Sequence, residues 1–352
     1  MILTLFSSDA TLQYTKDIFS VLSLPRNCIF QFRYQTQYVE NSAKAIFENE
    51  KNGAGTRVLI SFRSSSQEEE NNYFIVPIRW AKIVEVKHFS DVYTVYLELQ
   101  GYPQFTNSFL GKSSQFKQIN EYAKNIFYKD NEHAVLPSCL DIVELNDNNE
   151  RDTENWRIIV ESLINIPKYA RNYFLKCSPL YEEQIFRGKH KRKLCKMIDG
   201  NFIVTDGKVA NIDIEYYSAQ YDSTCKQKIG VVYDEKTMRL VKGTRIVLQS
   251  RYGTTALRVQ SLKVPNNTIS EVIICSESGL ENNIQTDISM SVIIKKDKFS
   301  RFRNVLMMSI GAALVALPGI LGNNVNIAWN IILGILGVVA LGVNQFIESK
   351  SD

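Results

Sequence analysis

The sequence predicts a mainly β protein with a few helices: two β-rich cytoplasmic domains, the second sandwich-like, followed by a C-terminal two-helix transmembrane hairpin. Three observations carry that expectation. Short segments alternating apolar with polar residues recur along the first 298 positions. Turn signals such as Asp206-Gly207, Pro265-Asn-Asn267 and Ser278-Gly279 separate many of them. From Asn304 to Ile347 there is no Asp, Glu, Lys or Arg, a charge-free run of 44 residues that is too long for a core strand.

Residues 1–110 read as a first β-rich domain. The opening Met1–Asp9 lacks a basic region and a long apolar core, so it suits a strand better than a signal peptide. A short helix at Thr15–Leu22 precedes strands at Phe30–Tyr34, Arg57–Phe62, Tyr73–Ile78, Ala81–Val86 and Val92–Leu99. Tyr93, Val95, Leu97 and Leu99 fall on one face of the last of these, and Ser64–Asn72 reads as a polar loop. Residues 111–170 form a helical connector, with apolar spacing at Ser114–Tyr128 and a stripe of Trp156, Ile159, Val160, Leu163 and Ile164 that ends before Pro167.

Residues 171–298 carry seven expected strands: Phe202–Val204, Ile212–Tyr216, Ile229–Tyr233, Thr244–Gln249, Leu257–Leu262, Val272–Cys275 and Ile288–Ile294. That count and spacing suggest an immunoglobulin-like sandwich. The hairpin follows at 304–346, as helices 304–321 and 327–346 around Gly322-Asn-Asn-Val-Asn326. A helix needs roughly 20 apolar residues to cross the hydrocarbon layer, and a turn this short makes the two helices antiparallel neighbours.

Lys295, Lys296, Lys298, Arg301 and Arg303 form a basic collar before the first helix, opposed only by Asp297. The positive-inside rule then places both termini in the cytoplasm, with the collar suited to anionic lipid head groups. Ser309, Ala312, Ala316 and Gly319 make a small-residue stripe on the first helix; Asn330, Gly334, Gly337, Leu341 and Asn344 make one on the second. These stripes pack the hairpin on itself or pack hairpins of several chains together.

The net charge of +4 does not by itself call for nucleic acid. Cys28, Cys139, Cys177, Cys195, Cys225 and Cys275 show no CxxC spacing and read as thiols of a reducing compartment. The sequence holds no P-loop, dinucleotide fingerprint, HExxH or GxSxG, and His88, His133 and His190 are dispersed. No catalytic residue, metal site or cofactor is therefore assigned. The strongest polar feature of the body is Arg187-Gly-Lys-His-Lys-Arg-Lys-Leu-Cys-Lys196. Its cations Arg187, Lys189, Lys191, Arg192, Lys193 and Lys196 suit phosphate on nucleic acid or on lipid, or simply a solvated loop.

A cytoplasmic body ending in a motif-poor two-helix hairpin resembles the membrane effectors of bacterial antiphage systems, most of all the transmembrane proteins encoded beside retron reverse transcriptases. The specific part of that resemblance is residues 295–347. It implies an effector held silent by a reverse transcriptase with its RNA–DNA product, released to impair the inner membrane and arrest growth. The implied partners are membrane lipids, that complex and, when active, further copies of the chain, with no small-molecule substrate. A membrane-tethered adaptor and an envelope enzyme are the competing classes.

Overall fold

The computed structural model describes residues 2–8, 10–65, 73–105, 133–137, 143–145, 152–164, 166, 169, 172–186, 189–218, 228–242, 245–248, 250–277, 287–296 and, further on, 309, 310, 312, 313 and 335. These residues are mainly β, in two sheets of a sandwich-like body and a third sheet beside it.

The first sheet has the order β2-β5-β4-β3-β1-β7. Its strands are β1 Ile2–Ser8, β2 Ile29–Gln35, β3 Arg57–Ser65, β4 Tyr73–Phe89, β5 Val92–Leu99 and β7 Val135–Pro137. β1 runs parallel to β3, and β7 pairs antiparallel on the other edge of β1. Val135–Pro137, from the stretch read as connector, thus completes the first sheet. β6 Pro103–Phe105 and β8 Val143–Leu145 form a small separate pair. The alternation in β5 holds as expected, with Tyr93, Val95, Leu97 and Leu99 all fully buried.

The two strands expected at Tyr73–Ile78 and Ala81–Val86 are one, β4. Ile60 pairs with Arg79 and Ser61 with Pro77, so Ile78 is an extra residue in a bulge. A bulge accommodates a proline, which has no N–H to give to the ladder, and breaks the alternation that a sequence reading relies on. Residues 75–81 are consequently buried without a break, including Arg79 at 1% exposure.

Helix α1, Leu12–Ser23, starts at Thr11, whose hydroxyl accepts the N–H of Tyr14. Ile18, Phe19, Val21 and Leu22 are buried on it. α2 is Asn41–Phe47, and α3, Asp152–Ile164, buries Trp156, Ile159, Val160 and Leu163, the stripe expected there.

The sandwich comes from β9 Tyr173–Cys177, β10 Tyr181–Phe186, β11 Lys189–Leu194, β12 Met197–Ile198, β13 Asn201–Thr205, β14 Val209–Ser218, β15 Lys228–Tyr233, β16 Met238–Lys242, β17 Arg245–Val247, β18 Tyr252–Ser261, β19 Thr268–Glu277 and β20 Asp287–Lys295. All seven expected strands are present, and β9, β10, β11, β12 and β16 are additional. One sheet runs β11-β10-β14-β18-β16, with β9 also on β14; the other runs β12-β13-β20-β19-β15-β17. Ile212, Ile214 and Leu257 of one sheet and Phe202, Ile274 and Val292 of the other are buried in a single apolar cluster. That cluster also holds Leu22, Val95 and Leu163, so the sandwich, α1, α3 and the first sheet share one continuous core.

Among the described residues, α1 and the start of β2 meet the sandwich at the start of β20, at β9 and at the β12–β13 turn. Phe19 meets Phe174 edge-on at 5.2 Å, and the Ser20 hydroxyl donates to Asp287 O at 3.2 Å. The Asp199-Gly200 turn of the β12–β13 hairpin, with both residues at positive φ, abuts Ile29 at the start of β2. The chain leaves β20 at the opposite end, here called the exit end.

Among the described residues no helix is long and apolar enough to cross a membrane. The expected helices 304–321 and 327–346 lie outside the described residues except at Ser309, Ile310, Ala312, Ala313 and Ile335, which are helical and exposed. Ala316, Gly319, Asn330, Gly334, Gly337, Leu341 and Asn344 lie outside them, as does the helix expected at Ser114–Tyr128.

Candidate functional site

Two polar features stand out, a cleft at the junction of the layers and the basic strand β11. The cleft, of about 630 Å³, is bounded by the α1–β2 loop, the N-terminus of α3 and the outer face of β14. Its size is that of a small-molecule pocket. Asp213 and Glu215 stand two residues apart on β14 and so share a face of the sheet.

Each carboxylate of the cleft meets a cation. Arg26 donates from Nε and Nη2 to the two oxygens of Asp152, both at 2.7 Å. Lys176 lies 3.4 Å from Glu215 and donates to the Thr153 hydroxyl at 2.6 Å. Burial holds the Lys176 ammonium below the usual lysine range, and Glu215 pulls the other way. Asp213 accepts from Arg192 at 2.7 Å and from the Tyr181 hydroxyl at 2.9 Å. The second oxygen of Glu215, Oε2, is buried without a hydrogen-bond partner.

Arg79 is the buried cation of the cleft. Its Nη1 donates to Val21 O at 3.1 Å, Leu24 O at 2.6 Å and the Tyr102 hydroxyl at 3.0 Å, while Nε donates to Gln100 O at 2.8 Å. Tyr102 in turn donates to Leu22 O at 2.7 Å. Helix α1 ends at Leu24-Pro25, with no glycine cap and no basic residue in its last turn. Its terminal carbonyls are therefore satisfied, and the negative end of its dipole met, by side chains from β4 and the segment after β5.

The thiols beside the cleft are held protonated. Burial pushes Cys28 up to about 12 against a smaller opposing pull from Arg79, and pushes Cys195 up to about 12. Burial also raises Cys177. Chemically, the cleft is a set of ion pairs and quiet thiols that fastens the layers together, with Glu215 Oε2 its one oxygen found buried and unmatched.

The basic run is a strand and not a loop. Lys189–Leu194 pairs with β10 as the edge of its sheet, setting Arg192 opposite Glu183 and Lys193 opposite Glu182. Lys191, Arg192, Lys193 and Lys196 are exposed; the Arg192 guanidinium also lies 4.7 Å over the Tyr181 ring. A charged edge strand resists pairing with other chains, which gives part of the run a structural role. Lys189 is placed through its backbone alone, and Arg187 lies outside the described residues. His190 and Cys195 sit five residues apart along extended chain, about 17 Å at about 3.4 Å per residue, too far for a nucleophile and its base. Of the collar, Lys295 ends β20 and exposed Lys296 follows it, while Lys298, Arg301 and Arg303 lie outside the described residues.

Sequence reasoning missed the cleft. Its one local signal was Asp213-Ile-Glu215, acidic residues alternating with buried Ile212 and Ile214; Arg26, Arg79 and Asp152 are distant from it in sequence.

No family model matches the chain, and no curated protein matches it. Solved structures are similar to part of it. The periplasmic chaperone SfaE is 8% identical over 27% of this chain at a TM-score of 0.23, and the match covers about half of the chaperone, 53%. WR4, a C. elegans MSP family member, is 13% identical over 26% of this chain and 91% of its own, with a TM-score of 0.19. The ASH / PapD-like domain of human CEP192 is 12% identical over 28% of this chain and 82% of its own, with a TM-score of 0.21. At these scores none of the three bears on function.

Proposed function

We propose that this chain is a membrane-anchored effector of a bacterial antiphage system of the retron type. A partner complex holds it inactive, and on release it impairs the inner membrane and arrests growth. The observation that carries the reading is the charge-free run from Asn304 to Ile347, set directly behind a basic collar. The body supports it by its construction. The last strand of the sandwich, β20, ends at Lys295, so the anchor hangs from a rigid element within nine residues. In this reading the hairpin lies in the inner membrane, both termini are cytoplasmic, and the body is the surface on which a reverse transcriptase–RNA/DNA complex acts.

A membrane-tethered adaptor is the second reading, favoured by β16, an edge strand among the described residues that carries exposed Val241 and to which a partner strand can add. One experiment separates the two. The full chain, expressed alone in a bacterium, is expected to resist alkaline carbonate extraction, collapse the membrane potential and stop growth. Insertion without any effect on potential or growth overturns the effector and leaves the adaptor. Full release by carbonate overturns both.

A further inference from the structure

The two basic segments, about a hundred residues apart in sequence, come to one end of the sandwich. β14 starts at Val209 and runs away from the exit end, because the adjoining turn brings Asp206 N–H onto Lys295 O at 2.9 Å and Gly207 N–H onto Ser261 O at 3.0 Å. β10 is antiparallel to β14, with Tyr181 opposite Asn211 and Glu182 opposite Ala210. Glu183 is thus level with Val209, and the rest of the β10–β11 hairpin runs on past the start of β14. Three further residues to Phe186 carry it about 10 Å beyond, at about 3.4 Å per residue.

Exposed Lys191, opposite Gln184, lies one residue beyond the start of β14, while exposed Lys193, opposite Glu182, is level with Ala210. The loops of the exit end add exposed Lys208 after β13, Lys263 after β18 and Lys296 after β20. The Lys296 side chain donates to Pro265 O at 3.4 Å, so the β18–β19 loop and the exit segment meet. Asp206 opposes them, and the β15–β16 turn, where Asp234 and Glu235 precede Lys236, adds no net positive charge. The end away from the exit is covered by α1 and the first sheet.

We propose that the exit end is a platform for anionic lipid, on which the β10–β11 hairpin and the end of β20 rest on one membrane surface. This rests on the reading of 304–346 as a membrane hairpin and gives the basic run its partner: lipid phosphate, in preference to nucleic acid. The chain leaves the body on the side where the hairpin projects, so a bilayer entered within a few residues of Lys296 comes up to the hairpin that carries Lys191 and Lys193.

The test uses the full chain reconstituted into vesicles of phosphatidylcholine alone or with phosphatidylglycerol. Insertion is scored by carbonate extraction, and trypsin cleavage at Lys191, Arg192 and Lys193 is followed by mass spectrometry. Expected is cleavage about tenfold slower on the anionic vesicles, since each surface cation favours an anionic membrane several-fold. Raised salt should abolish the protection. So should the combined variant Lys191→Gln, Lys193→Gln, Lys208→Gln, read at Arg192, the trypsin site it keeps, with insertion unchanged. Equal cleavage on both vesicles with the chain inserted overturns the platform and spares the anchor. Failure to insert overturns the anchor itself. Protection of these sites by RNA or DNA, but not by anionic vesicles, assigns the strand to nucleic acid and overturns the platform.

Discussion

The guanidinium of Arg79 lies 4.2 Å over the ring of Tyr102 and donates to its hydroxyl, so that one stacked pair closes the C-terminus of α1. The pair joins β4 and the segment after β5 to the helix that also packs on the sandwich. Its loss should be felt through the whole core.

Arg79→Met removes every donor to Val21 O, Leu24 O and Gln100 O that this side chain supplies. Leaving buried acceptors unmatched should cost about 3–5 kcal/mol. Denaturant unfolding of the detergent-solubilised chain measures it; a loss below about 0.5 kcal/mol would show the cap to be dispensable.

Arg26 and Asp152 form a bidentate pair whose side chains are only 20% and 12% exposed. A double-mutant cycle of Arg26→Ala and Asp152→Ala should return a coupling of about 2 kcal/mol. Additive losses would mean that the two residues act separately.

Gly200→Ala should destabilise by about 2–4 kcal/mol. The residue sits at φ +75°, and a Cβ there would fall 2.8 Å from Ile29 N and 2.9 Å from Ile29 Cβ, too close for a backbone that cannot swing away. Gly207→Ala, also at positive φ (+72°) but with nothing within 4 Å of the added Cβ, should cost only about 1 kcal/mol of backbone strain. Equal thermal shifts for the two would remove the packing argument.

The buried thiols set an alkaline limit. Cys28 rises from 9.0 to about 12 in the fold, so the folded state keeps a proton that the unfolded chain releases near pH 9. The associated stability is complete below pH 9 and declines as pH rises from about 9 to about 12. Cys28→Ser should flatten unfolding free energy across that window. At pH 8, iodoacetamide should leave Cys28 and Cys177 unmodified in the folded protein and label both in denaturant.

Within the proposed hairpin, Gly334 and Gly337 allow close helix approach, and two helices enclose no water path by themselves. Gly337→Leu should leave the chain inserted yet abolish toxicity and the multimers trapped by crosslinking. A variant that inserts and still depolarises cells would exclude this stripe as the assembly surface.

The sequence by itself determined which segments are half-buried strands, because alternation reflects one dry and one wet face: Val92–Leu99 and the seven strands after residue 200 are found where expected. The stripe from Trp156 to Leu163 marked its helix for the same reason, at helical period. It also determined, through composition alone, where charge is absent. What alternation cannot encode is pairing at a distance. The bulge at Ile78 merged two expected strands and turned Arg79 inward. Pairing with β10 made the run after Gly188 a strand, although it has no apolar face of its own. The Arg26–Asp152 clamp, the Arg79–Tyr102 cap and the projection of the β10–β11 hairpin at the end where β20 finishes follow from register and from a shared core. Those are properties of residues scores of positions apart, and only the tertiary structure brings them together.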